Sequence, residues 1–96
     1  MTLEDQYKLL VEAYYGISVL DEYNLKEYTL KDIQKLIDDF ESNYAEVDYN
    51  KIKEHVKNNV STKTKLQSSL IVLNSIEGSM ELMLLIKERL KKDETR

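Results

Sequence analysis

The chain contains no cysteine, no proline and no tryptophan, and only two glycines and one histidine in 96 residues. Without cysteine there is no disulfide, no thiolate metal site and no cysteine nucleophile. One histidine, His55, cannot build a multi-histidine metal centre within one chain. Two glycines without proline argue against turn-rich β folds and glycine-rich phosphate loops. A long uninterrupted apolar run is also missing. The most apolar stretch, Leu70–Ile86, is broken by Asn74, Ser75, Glu77 and Glu81. A membrane span needs about 20 mostly apolar residues, so none is expected. The opening MTLEDQYKLL is acidic where a secretory leader has a basic region. A cytoplasmic location follows as the expectation.

What remains is a small all-α domain covering residues 1–96, with residues 91–96 as a frayed tail. Charged residues make up 33% and hydrophobic residues 42%, enough apolar matter for one core. Charge is unevenly spread. Residues 1–50 hold 12 Asp/Glu against 4 Lys, a net of −8, and residues 51–96 hold 6 against 10 Lys/Arg, a net of +4. All seven tyrosines lie between Tyr7 and Tyr49. An acidic, tyrosine-bearing half therefore faces a basic half, either to pack the two together or to meet different partners.

Apolar spacing predicts four helices. Thr2 has the character of an N-cap, and Leu3, Tyr7, Leu10, Tyr14 and Ile17 recur at helical spacing up to a stop near Asn24. Gly16 inside this helix lets a neighbouring helix approach closely. Thr29 is read as the cap of a second helix with Ile33, Leu36, Ile37 and Phe40 on one face. Its end carries Asp38, Asp39 and Glu41, against the helix dipole, which points to a cationic neighbour. Asp48 caps a third helix with Tyr49, Ile52 and Val56, and Ser61 or Thr62 caps a fourth. The fourth runs to about Lys92, with a kink at Gly78 as one option. Its stripe of Leu66, Leu70, Leu73, Ile76, Met80 and Leu84 would be core. Glu77 falls inside that stripe, and Ile71, Leu82, Leu85 and Ile86 fall outside it. The predicted architecture is a small four-helix bundle with a long, kinked C-terminal helix.

No catalytic, cofactor or metal constellation emerges, so a non-enzyme is expected. Apolar surplus on the last helix points instead to an interface with another protein, a second copy included. Leu82, Leu85 and Ile86 would form it, joined by the off-stripe tyrosines Tyr15, Tyr23 and Tyr28. Tyrosine supplies large, rigid contact area and is enriched at interfaces. The basic segment 51–65 offers the alternative, a DNA-binding transcriptional regulator. Lys51, Lys53, Lys57, Lys63 and Lys65 would contact nucleic acid or an acidic partner, in a helix–turn–helix outline. That outline departs from the motif in its long turn, Lys57-Asn58-Asn59, and in Lys65 where an apolar residue is usual.

Four helices in about 95 residues, with the early segment Tyr14-Tyr15-Gly16-Ile17-Ser18, resemble the bacteriocin-immunity bundles. These small intracellular helical proteins protect a producer cell by binding a target complex. The resemblance implies a binding, inhibitory or regulatory role and assigns no residue.

Overall fold

The computed structural model describes residues 1–21 and 23–94. It is all-α, with five helices rather than four: α1 (Leu3–Ser18), α2 (Tyr23–Asn43), α3 (Tyr49–Asn59), α4 (Thr62–Leu73) and α5 (Met80–Glu94). Three starts follow the capping residues. Thr2, Asp48 and Ser61 accept hydrogen bonds from the backbone N–H of Asp5, Lys51 and Thr64, at 3.1, 3.2 and 3.1 Å.

Thr29 is not a cap. It lies buried within α2, which begins six residues earlier. α1 also ends before the expected stop, and Asn24 belongs to α2. The reason is tertiary. The ammonium of Lys26 donates to the carbonyls of Ser18 and Leu20, at 3.2 and 2.6 Å. A cation from the next helix thus satisfies the orphan carbonyls that a left-handed asparagine would otherwise serve.

The long last helix divides. Gly78 takes φ +75°, the left-handed region that glycine enters without strain. Ser79 Oγ makes a three-centre hydrogen bond to the carbonyls of Leu73 and Ile76, each at 2.8 Å. α5 then folds back on α4 and also touches α2. The break resets the helical phase, so the stripe does not continue through it. Leu82 and Ile86 turn inward to the core, whereas Met80 and Leu84, expected there, are exposed. Glu77 sits exposed in the connection. α5 runs past Lys91 to Glu94, so the tail starts later than expected; Thr95 and Arg96 lie outside the described residues.

α1 is the central helix and packs on α4, α2 and α3. Its contact with α4 is the closest. A Cβ on Gly16 would overlap Ser69 Oγ and the Lys65 carbonyl. Ser69 donates to the carbonyls of Ala13 and Lys65, each at 2.9 Å, and Ser68 donates to buried Glu12 at 2.8 Å. Lys8 lies 3.8 Å from the other Glu12 oxygen. The polar atoms of this seam are therefore paired, as burial requires.

Tyr7 ties three helices together. Its ring is fully buried against Phe40 of α2 and Tyr49 of α3, with centroids 5.6 and 4.6 Å away. Its hydroxyl donates to Glu41 at 3.0 Å, and Lys53 of α3 lies 3.3 Å from the same oxygen. Lys53 is the cationic neighbour that the acidic end of α2 called for. Burial, then the Glu41 hydrogen bond and charge, push the Tyr7 phenol well above its usual range. No helix among the described residues is long and apolar enough to cross a membrane.

Candidate functional site

The expected interface set does not form one surface. Leu82 and Ile86 are 2% and 0% exposed, already used by the chain's own core. Leu85 is half-buried and packs on that core. Tyr15 is half-buried too, with the Lys65 ammonium 5.6 Å from its ring. Tyr28 is 74% exposed on α2, with Lys31 beside it. The side chain of Tyr23 lies outside the described residues.

The basic segment is also divided. Lys53 is held by Glu41 and Lys65 by Tyr15, leaving Lys51, Lys57 and Lys63 exposed. α3 packs on α1 rather than pairing closely with α4, and α4 buries its inner face against α1. A recognition helix instead keeps its reading face outward and is braced by the helix before it. The helix–turn–helix arrangement is therefore not built.

His55 borders a cleft between the start of α1 and α3, whose walls mix Glu4, Asp5 and Asp48 with Lys8 and Lys51. No group of three His, Asp or Glu side chains is arranged to hold a metal among the described residues.

A different feature stands out. α2 and α4 both pack on α1 and at most sparsely on each other, and a trough of about 370 Å³ runs between them. Leu9 and Leu10 of α1 form its floor, with Leu36 and Phe40 on one wall and Ile71 and Val72 on the other. Leu36 is 40% exposed and Ile71 57% exposed. Polar lining is confined to Gln6 and Ser75. Beyond Leu36 and Ser75 the depression continues past Asp32, Lys35, Asp39 and Glu77. These four are exposed and in no ion pair among the described residues.

Sequence reasoning placed Leu36 in the core and left the trough unseen. One signal was present: Ile71 fell off the stripe of its helix. Its neighbours Ser68 and Ser69 turn inward because only small side chains fit against Gly16, and this rotates Ile71 outward. Comparison with protein-family models, with curated proteins and with solved structures finds no match for this chain.

Proposed function

We propose that this chain is a non-catalytic interaction protein, of binding or regulatory type, whose α2–α4 trough takes up a helix of a protein partner. The observation that carries this reading is the exposure of Leu36 and Ile71 on opposite walls of one apolar depression. Apolar side chains that converge on a concave surface form the usual seat of an amphipathic helix. The continuation holds Asp32, Asp39 and Glu77 against Lys35, and its net negative charge favours a partner helix with a basic flank.

The test is affinity capture from the native host with the parent chain, with Leu36→Lys and with Ile71→Lys. A protein held by the parent and lost with both variants, then rebuilt from purified components, is the expected result. A partner retained equally by all three would remove the trough from the reading.

The second reading, nucleic-acid binding, rests on the exposed lysines Lys51, Lys57 and Lys63, which are in no ion pair among the described residues. Anisotropy of mixed-sequence duplex DNA at about 50 and about 200 mM salt tests it through counterion release. Salt-sensitive binding lost in Lys51→Glu/Lys57→Glu/Lys63→Glu would replace the first reading.

A further inference from the structure

We propose that the occupant of the trough is a second copy of this chain, docked through the outer face of α5. The inference rests on the reading of the trough as a protein-docking surface and names its partner. Met80, Leu84, Lys87 and Lys91 follow at spacings of 4, 3 and 4, which aligns them on one face of a helix. All four are exposed, Met80 by 74% and Leu84 by 55%. Lys87 and Lys91 are in no ion pair among the described residues. The opposite face, Leu82 and Ile86, is anchored in the core, so the outer face is held rigidly for display.

The two surfaces match in character and in net sign. The face of α5 is apolar in its first half and cationic in its second. The trough is apolar at Leu36, Phe40 and Ile71, and the depression adjoining it carries the anions Asp32, Asp39 and Glu77 against one cation, Lys35. From Met80 to Lys91 the stripe is about 16 Å long, and the α2 wall of the depression, Asp32 to Phe40, is about 12 Å long, at 1.5 Å per residue. The stripe therefore spans that wall and runs about one turn past it. Net charge is −4 for the whole chain, yet each copy presents a positive stripe to its neighbour's negative one. Each copy carries both surfaces, so a reciprocal exchange between two copies would use both in a two-fold dimer.

The experiment is sedimentation equilibrium of the full chain over a micromolar-to-millimolar series at low and high salt. The mass is expected to rise toward a dimer with concentration, and less so at high salt. Lys87→Glu/Lys91→Glu alone and Asp32→Lys/Asp39→Lys alone should each weaken association about tenfold or more. Their equimolar mixture should associate again, because acidic α5 then meets a basic trough and basic α5 an acidic one. Circular dichroism of each variant establishes that the helices are intact. A parent chain that stays monomeric throughout overturns the proposal, and so does a mixture that fails to recover. A monomeric parent whose foreign partner is still lost with Ile71→Lys would end self-docking and leave the trough reading standing. A dimer indifferent to Leu36→Lys and Ile71→Lys would also end self-docking, and the capture experiment would still decide the trough reading.

Discussion

On one side of α1, α4 lies so close that a single methyl group has no room; on another, α1 floors a trough that the chain leaves open. The seam is built from Ala13, Gly16, Ser68 and Ser69, small residues whose polar atoms pair across it. The trough is built from leucines, Phe40 and Ile71, larger side chains that nevertheless leave surface exposed. Small residues let two backbones meet, whereas bulky ones hold α2 and α4 apart. A core so arranged is tight in one direction and unfinished in the other. The unfinished side is where a further helix can add.

The contrast is broken most severely at Gly16. In an open helix interior, Gly16→Ala would stabilise by about 1 kcal/mol through helix propensity. Here the added Cβ meets a backbone carbonyl that cannot step aside alone. A loss of about 3 kcal/mol is expected in urea unfolding, at the upper end of overpacking costs. A gain in stability would mean that the seam is loose.

Tyr7→Phe removes the donor to Glu41 and should cost about 1.5 kcal/mol. It should also change the alkaline limb of stability. The native state holds the Tyr7 proton more tightly than the unfolded chain does. Stability is therefore complete below the unfolded tyrosine value of about 10 and falls as pH rises beyond it. Tyr49 is shifted the same way, by burial first and then by Glu41. The Phe variant should thus flatten this limb in part, as thermal melts from neutral to strongly alkaline pH would record.

Gly78 separates backbone from packing. Nothing lies within 4 Å of a Cβ built there, so Gly78→Ala meets no clash. Only its φ of +75° opposes the change, at about 1 kcal/mol. An effect as large as that of Gly16→Ala would show that the α4–α5 connection packs more tightly than its open surroundings indicate.

The smallest effect belongs to the trough. Ile71→Lys should alter folding stability by no more than about 0.5 kcal/mol, as exposed positions do. A loss of about 2 kcal/mol or more would place Ile71 in the core and close the distinction between seam and trough.

Much of the chain's local structure was legible. The caps at Thr2, Asp48 and Ser61 and the close approach at Gly16 follow from residue types, because capping and sterics act over a few residues. The start of α2, the end of α1 and the direction of α5 were not. Thr29 has the chemistry of a cap, but Lys26 reaches back to the end of α1 and moves the boundary. Met80 and Leu84 continue the α4 stripe on paper, yet a left-handed Gly78 resets the phase and sends Leu82 and Ile86 inward instead. Of the interface expected of Leu82, Leu85 and Ile86, Leu82 and Ile86 are core for that reason, since what looked like surplus on one long helix is buried once the helix folds back, and Leu85 stays half-buried. The trough was hidden because it arises between two helices that pack on α1 far more than on each other.

Composition and periodicity alone determined that this protein is helical, without disulfides, with a first helix able to accept a close neighbour at Gly16. These properties depend on residues within a turn or two of one another. Which apolar side chains are buried, and which line an open groove, was decided only by the tertiary fold. That outcome depends on how α2, α4 and α5 arrange themselves around α1, through contacts between residues as distant in sequence as Ser68 and Glu12.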